Sequence, residues 1–455
     1  MQLYDILVIG GGPAAITLVK IAGPTRKVGI IRPEDHSMIY CAMPYAIEGL
    51  LSVEKTLKSD HLVTNAGADL IRDRVTAVDF ANNTVTTELG QVFGYERLVI
   101  ATGGVPILPP IEGVDLEGVM TFKTERDLRT IMSRLERGVN NVVVVGAGAI
   151  GVELAQALNQ TGLETHLVDM APHIVPNMLD AELLEDAEQA LVKAGIHLHL
   201  QHRVIKLTGG SFVEEIHLDK GQTIHFGPQD ECSENGEIRA IPGLVIFAVG
   251  TRPDIGLFQD SPLKIGKNGI IVNAKMETNI DRVYAVGDCT EFTSAITAEV
   301  WPGKLATNAV PMARLLAKNL SGAERRYAGF YNGSATKIGD YFVGGTGLTE
   351  RAAQSRYDTV VGYAEFTTAF PIMPSAKKVK MKLIVNKKTR ELLGGQVVSG
   401  EPVTDKVDLI TMAIQYRIPV NQLVNFSYSS QPYQSFFPAN SLLTAAAEQI
   451  VQQLG

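Results

Sequence analysis

Val142-Val143-Val144-Val145-Gly146-Ala147-Gly148-Ala149-Ile150-Gly151 is the stretch that decides the fold. Four β-branched residues in a row read as a buried strand, the glycines as a tight turn, and Val152 to Leu158 as a helix. The G-x-G-x-x-G spacing leaves backbone without side chains at a helix N-terminus, where free N–H groups and the helix dipole can hold a pyrophosphate. A second strand, Glu164 to Val168, runs into Asp169, whose carboxylate can accept from both hydroxyls of a ribose. Such an acid favours NADH over NADPH, because a 2'-phosphate would meet a like charge; a solvated strand-end acid is the plain alternative.

The same unit occurs once before. Leu3 to Ile9 is an apolar run ending in Gly10-Gly11-Gly12, followed by Pro13-Ala14-Ala15-Ile16-Thr17-Leu18-Val19. Gly10-x-Gly12-x-x-Ala15 is the looser match, and a tight turn in an ordinary α/β fold would also explain it. Its next strand, Val28 to Ile31, leads into Arg32-Pro33-Glu34, so an acid is present but shifted. Two such units in one chain imply an α/β protein with two dinucleotide-binding domains. Leu98 to Gly104 is a further strand ending in a glycine turn, and Pro106, Pro109 and Pro110 place a boundary near residue 112. Asp219 to Glu237 is polar and reads as a surface excursion. Val245 to Val249 and Val283 to Asp288 are strands that return the chain to the first domain. From about residue 328, strands (Lys380 to Val385, Gly394 to Val398) and helices (Lys406 to Gln415, Asn440 to Leu454) spell an α+β domain.

Composition narrows the function. The 455 residues are 45% hydrophobic and 20% charged, the balance of a globular chain rather than a disordered or coiled-coil one. Lys plus Arg number 41 against 49 Asp plus Glu, and the net charge of -8 opposes attraction to a phosphate backbone, so no nucleic-acid partner is expected. Cys41, Cys232 and Cys289 have neither disulfide-framework nor zinc spacing, and no metal site is expected. No secretory signal opens the chain, and apolar runs such as Val142 to Val152 fall short of the ~18 residues of a membrane span. A cytoplasmic protein is the expectation.

Cys41 lies in Ser37-Met38-Ile39-Tyr40-Cys41-Ala42-Met43-Pro44-Tyr45, ahead of an expected helix through Leu51. Pro44 belongs in a first turn, which puts Cys41 at the helix N-terminus, where the dipole favours thiolate over thiol. A lone cysteine is more often a small buried hydrophobe, and local sequence leaves both open.

Taken together, these residues resemble the FAD-dependent pyridine nucleotide-disulfide oxidoreductases over nearly the whole chain. Tyr95 to Gly103, with Ala101-Thr102-Gly103, is similar to the family's ATG segment, Ala248 to Asp254 to its second glycine turn, and Tyr284 to Cys289 to its flavin-binding GD motif. The resemblance implies FAD domains at 1–112 and 245–327, an NAD domain at 113–244, and a homodimerisation domain at 328–455. It implies FAD contacts from Gly10, Gly12, Pro13, Ala14, Ala15, Arg32, Glu34, Val75, Ala101, Thr102, Gly103, Asp288 and Ala306, with Asp288 on the ribityl chain. It implies nicotinamide-nucleotide contacts from Gly146, Gly148, Ile150, Gly151, Glu153, Asp169 and Gly250.

The family's redox CxxxxC is absent, while Ser37-x-x-x-Cys41-x-x-Pro44-Tyr45 resembles the single-cysteine branch: coenzyme A-disulfide reductases, CoA-persulfide or polysulfide reductases, and NADH oxidases and peroxidases. In that branch NADH delivers hydride to one flavin face, and a cysteine on the other cycles between thiolate and a mixed disulfide or sulfenate. No His lies between residues 1 and 35, where peroxidases carry one near the redox cysteine. Ser429-Ser430-Gln431-Pro432-Tyr433 resembles the His-Pro element of two-cysteine reductases with Gln in place of His, and Gln cannot shuttle a proton. The CoA-disulfide branch uses Tyr in this region, so Tyr428 or Tyr433 is the expected proton donor toward Cys41 of the other subunit; a packed interface Tyr is the alternative. Lys20, Arg26, Lys27, Lys377 and Lys378 read as solvated residues that could also meet a coenzyme A phosphate. The expectation is an NADH-dependent flavoenzyme reducing a CoA-linked disulfide, persulfide or polysulfide. NADH oxidation by oxygen is the runner-up, and electron transfer to a small redox protein, with Cys41 structural, a third reading.

Overall fold

The strands Gln2–Ile9 and Val28–Arg32 align in parallel with Ile9 opposite Ile31, and Gln2–Ile9 aligns on its other side with Val92–Ile100, Ile9 opposite Ile100. Ala285 of the strand Val283–Ala285 also sits opposite Ile100. The segments that follow, Gly10–Gly12, Ala101–Gly103 and Val286–Asp288, therefore emerge at one edge, the carboxyl ends of parallel strands, where open α/β sheets bind ligands. The computed structural model describes residues 1–226, 230–232, 238–240 and 243–455. They divide into two compact units, one of residues 1–107, 123–129 and 250–330, the other of 108–122, 130–249 and 331–455.

The first unit's sheet runs Asp69–Arg72, Val28–Arg32, Gln2–Ile9, Val92–Ile100, Thr84–Thr87, Val75–Asp79, with Val283–Ala285 also paired to Val92–Ile100. Side chains alternate across a strand, and here both faces are covered. Ile6 and Val8 pack with Ala15 and Leu18 of the helix Pro13–Ala22 and with Ala313 and Leu316 of the helix Ala306–Leu320. Leu7 and Ile9 pack on the opposite face with Leu98, Ile100 and Phe258.

In the second unit five parallel strands run Val119–Thr121, Leu244–Phe247, Asn141–Val145, Glu164–Asp169, His197–Leu200. Val145 lies opposite both Phe247 and Val168, so Gly146, Ala248 and Asp169 share one edge. A five-stranded antiparallel sheet follows, from Ser334–Ile338 to Leu392–Ser399, with the helices Thr404–Gln415 and Leu442–Leu454 against it. In this unit Lys382, 2% exposed, is held by Asp180, Glu182 and Glu350, which is how a buried ammonium stays charged.

Four expectations change. The strand expected at Val245 to Val249 to return the chain to the first domain is Leu244–Phe247 and lies in the second unit's sheet, because its register pairs it in parallel with both Val119–Thr121 and Asn141–Val145; the first unit resumes at Gly250. The helix at Pro44 stops at Ile47, because Gly49 turns the chain at φ +82 well before Leu51. The C-terminal helix starts at Leu442 rather than Asn440, since Ser441 caps it by accepting from the Thr444 amide. The excursion at Asp219–Glu237 contains the strand Thr223–His225, paired to Glu215–Leu218; Asp230–Cys232 is also a strand, and the rest beyond Phe226 lies outside the described residues.

Candidate active site

The first glycine turn is shaped by two close approaches. Gly10 has φ +114, and a Cβ there would overlap the Ala101 carbonyl. A Cβ on Gly11 would overlap the aliphatic part of Arg32, which runs beneath the turn. Gly12, by contrast, faces open space at the N-cap of Pro13–Ala22, with Pro13 leading the helix and Ala14 and Ala15 buried against the sheet. Open space beside free helix-terminal amides is what a pyrophosphate needs. Arg32 is 2% exposed; its Nη2 donates to Asp60 Oδ1 at 2.5 Å and to the Asp35 carbonyl at 3.0 Å, while its buried Nε has no partner. Glu34 is exposed nearby in sequence. Val75 follows Asp73, whose amide donates to the Arg32 carbonyl at 3.1 Å.

At the same edge, the Thr102 hydroxyl donates to the Asp254 carbonyl at 2.6 Å and Gly103 turns at φ +77 with nothing within 4 Å of a Cβ. Asp288 sits beyond Val283–Ala285. Burial raises its carboxyl above the usual range, with Lys123 and Lys304 pulling the other way, and no described residue hydrogen-bonds its carboxylate. Lys304 Nζ donates to the Asp288 carbonyl at 2.7 Å, and Lys123 Nζ to the Gly104 carbonyl at 2.5 Å. Lys123 also lies 5.9 Å from the centre of the Tyr40 ring, and burial lowers both lysines. An open acceptor at Asp288, an open glycine turn and an orphaned buried Arg32 donor fit the ribityl, pyrophosphate and adenosine parts of FAD. Ala306, exposed, opens the helix Ala306–Leu320.

Cys41 is exposed, in the single turn Tyr40–Ala42 directly before Met43–Ile47. With only five residues, that helix contributes little dipole at Cys41. The structure supplies a different positive charge. Lys58, opposite Ser37 in the pair Ser37–Met38 and Leu57–Lys58, is near enough to Cys41 for the sulfur to favour its ammonium, against a stronger lowering by burial. Ser37 is buried and its hydroxyl has no partner. Cys289 differs entirely: fully buried, facing the carbonyls of Ile100 and Val286, and pushed up to about 11 by burial, it is an inert core thiol.

The second unit repeats the glycine geometry. Gly146 has φ +110 beneath Ala248, Gly148 faces open space at the N-cap of Ala149–Gln160, and a Cβ on Gly151 would overlap the Gly146 carbonyl. Ile150 is 52% exposed beside this opening. Asp169 accepts from the Ala147 amide at 2.6 Å and the Ala171 amide at 2.7 Å. Glu153 accepts from Thr336 Oγ1 at 2.5 Å, and burial raises its carboxyl. Gly250, in the first unit, turns at φ +99, its carbonyl taking the Ile107 amide. Tyr428 donates to the Pro438 carbonyl at 2.5 Å, whereas Tyr433 is 70% exposed and its hydroxyl has no bond among the described residues.

The structure thus gathers Gly10, Gly12, Ala101–Gly103 and Asp288 on one edge, and Gly146–Gly151 with Asp169 on another. Sequence reasoning missed Lys58, Lys123 and Lys304. Lone lysines at strand and loop positions carry no motif, and only the fold shows what they face.

The pyridine nucleotide-disulphide oxidoreductase profile matches residues 4–313, and its dimerisation-domain profile matches residues 334–436. The chain belongs to this family. Members of the pyridine nucleotide-disulphide oxidoreductases are FAD- and NAD(P)H-dependent, and the α/β fold with a C-terminal dimerisation domain expected above is the one found. An NADH oxidase of Methanocaldococcus jannaschii is 34% identical, with 98% of this chain and 99% of that one covered. An NAD(P)H sulfur oxidoreductase (CoA-dependent) of Pyrococcus abyssi is 32% identical over 90% of each. The solved NAD-dependent persulfide reductase of A. fulgidus superposes with a TM-score of 0.89 at 26% identity, covering 98% of this chain and 83% of that one. No helix among the described residues is long and apolar enough to cross a membrane.

Proposed function

We propose that this chain is an NADH-dependent reductase of a coenzyme A-linked disulfide, persulfide or polysulfide, acting through Cys41 as a homodimer. The observation that carries the reading is the exposed Cys41 thiol with Lys58 beside it, in the same unit as the Gly10–Gly12 cradle and the open Asp288 carboxylate. Gly10, Gly12 and Pro13 to Ala15, with Ala101 to Gly103, hold the FAD pyrophosphate region. Asp288 accepts from the ribityl chain, Arg32, Glu34 and Val75 border the adenosine, and Ala306 adds a helix-terminal amide. Gly146, Gly148, Ile150, Gly151 and Glu153 receive the nicotinamide nucleotide, with Asp169 on its ribose. Bound FAD supplies the two-electron relay from NADH to sulfur.

Cys41 attacks one sulfur of the acceptor disulfide as a thiolate and forms a mixed disulfide, and the acceptor's other half leaves as a thiolate that Tyr433 of the partner subunit protonates. Two electrons from NADH then release the bound half and restore Cys41. Tyr433 is preferred over Tyr428 because its hydroxyl is uncommitted. The same reading divides the chain at 1–112, 113–244, 245–327 and 328–455, with the strand Leu244–Phe247 kept in the second unit's sheet, and sparse cysteines without disulfide-framework spacing suit the cytoplasm. The name of the Pyrococcus abyssi relative, a CoA-dependent sulfur oxidoreductase, supports this acceptor class.

Oxygen reduction is the second reading, favoured by the name of the 34% identical Methanocaldococcus jannaschii relative, NADH oxidase. Cys41→Ser separates the two. It should abolish disulfide and persulfide turnover and spare slow oxygen reduction; unchanged disulfide turnover would refute the thiol mechanism. Anaerobic titration should consume two NADH equivalents per subunit if a cysteine disulfide is reduced with the flavin, and one if the flavin is reduced alone. Mass spectrometry of Cys41 then distinguishes a CoA adduct from a sulfenic acid or a bare thiol.

A further inference from the structure

We propose that Glu164, His166 and His197 form a binding site for a divalent transition-metal ion of the zinc or nickel class, clipping the edge strand His197–Leu200 of the second unit's parallel sheet to its neighbour Glu164–Asp169. Glu164–Asp169 and His197–Leu200 pair in parallel with His166 opposite His197, and His197–Leu200 is the edge strand. Alternation puts Glu164 and His166 on one face, with His197 and His199 beside them.

Glu164 Oε1 lies 3.4 Å from His166 Nε2 and 3.9 Å from His197 Nε2, and one ligand atom from each residue lies within 4.8 Å of the others. A tetrahedral ion with bonds of about 2.0–2.1 Å separates its ligands by about 3.4 Å. The His166 and His197 rings stack, with centroids 4.7 Å apart and planes at 22°, so binding an ion through both Nε2 atoms turns the His197 ring out of the stack; His197 and Glu164, both more than half exposed, have the room to turn. A second, independent feature is the support behind His166. Its Nδ1 is 3.0 Å from His199 Nε2, and His199 Nδ1 is 3.1 Å from the Gln222 amide. A metal-bound histidine needs such a partner for its other ring nitrogen. With Nε2 on the ion, His166 Nδ1–H donates to His199 Nε2, and His199 Nδ1–H donates to Gln222 with its amide turned to present oxygen.

Two imidazoles and one carboxylate select zinc, nickel or copper over magnesium or calcium, which prefer oxygen ligands. The fourth position is left to water. The other cluster of acids in this unit, Asp180, Glu182 and Glu350, is filled by the Lys382 ammonium and offers no such site. Because the ion would join an edge strand to its neighbour, its effect falls on the stability of the nucleotide-binding sheet.

The test is a zinc titration of the flavin-loaded full chain, thiols blocked with N-ethylmaleimide, in competition with a chromophoric chelator. Wild type should bind one equivalent per chain at micromolar zinc or below, and its thermal midpoint should rise. His197→Asn, at an exposed position, and Glu164→Gln should each weaken binding by about tenfold or more and remove the thermal shift, and His199→Ala by about tenfold. His61→Asn, on the other unit, should bind as wild type does. Wild-type affinity in both His197→Asn and Glu164→Gln, or no wild-type binding below millimolar zinc, would overturn the proposal.

Discussion

The Ala147 amide donates to Asp169 Oδ2 at 2.6 Å, so the carboxylate at the end of one strand holds the glycine turn at the end of its neighbour. With the Ala171 amide on Oδ1 at 2.7 Å, Asp169 both shapes the turn and presents negative charge beside it. Asp169→Ala should therefore lower kcat/KM for NADH by roughly tenfold or more and move the NADPH/NADH ratio upward, since a like charge is removed and a hydrogen-bonded carboxylate is worth about 1.5–3 kcal/mol. Steady-state kinetics with both nucleotides check this. Equal or better efficiency of wild type with NADPH would refute the assignment.

The two glycine turns should fail separately. At Gly10 an alanine meets the Ala101 carbonyl and a left-handed φ, and at Gly151 it meets the Gly146 carbonyl. At Gly10 the left-handed backbone alone costs an alanine about 1–3 kcal/mol before the clash is counted, whereas at Gly151 the close approach is the whole effect. Gly10→Ala should purify with reduced flavin content, read from visible absorbance. Gly151→Ala should keep its flavin and raise KM for NADH. Normal flavin content in the first variant, or normal KM in the second, would contradict the assignment of the turns.

Lys58 should control the reactivity of Cys41. Removing the charge in Lys58→Met should slow alkylation of Cys41 by the anionic reagent iodoacetate, which the ammonium attracts, by roughly three- to tenfold, as expected for one charge near an exposed thiol. Lys58→Arg should restore most of the rate. Alkylation followed by peptide mass spectrometry reads this residue by residue, and an unchanged rate in Lys58→Met would remove Lys58 from the site.

Cys289 makes stability depend on alkaline pH. Its thiol ionises at about 11 when folded, raised by burial from an ordinary value of 9.0. Between those values the unfolded chain loses a proton that the folded one keeps, so stability is unaffected below pH 9 and falls as pH rises through 9 toward 11. The loss amounts to about 2–3 kcal/mol at the upper end. Urea midpoints at pH 8 and 10.5 should differ less in Cys289→Ala than in wild type. An equal slope would mean the thiol already reaches solvent.

Much of the site was legible in the chain because backbone chemistry carries it. Gly10, Gly12, Gly146, Gly148 and Gly151 are read from spacing, since a strand, a turn without Cβ atoms and a helix N-terminus leave few other choices of residue. Arg32 was read as a cofactor contact, but its place beneath Gly11 and its pairing with Asp60 were not, because Asp60 arrives from a different part of the chain. Cys41 was read at a helix start; the helix proved to be five residues long, and the nearby charge came from Lys58, across a two-strand pairing that no local pattern announces.

The sequence by itself determined the two strand–glycine–helix units, the acid at Asp169 and the single cysteine ahead of Pro44, because these are local patterns set by backbone sterics and the period of buried side chains. Tertiary structure alone decided which cations flank Cys41 and Asp288, that Cys289 is sealed in the core, and that Glu164, His166 and His197 converge on one sheet face. Long side chains from distant segments meet only when strand register aligns them, and register is a property of the folded sheet.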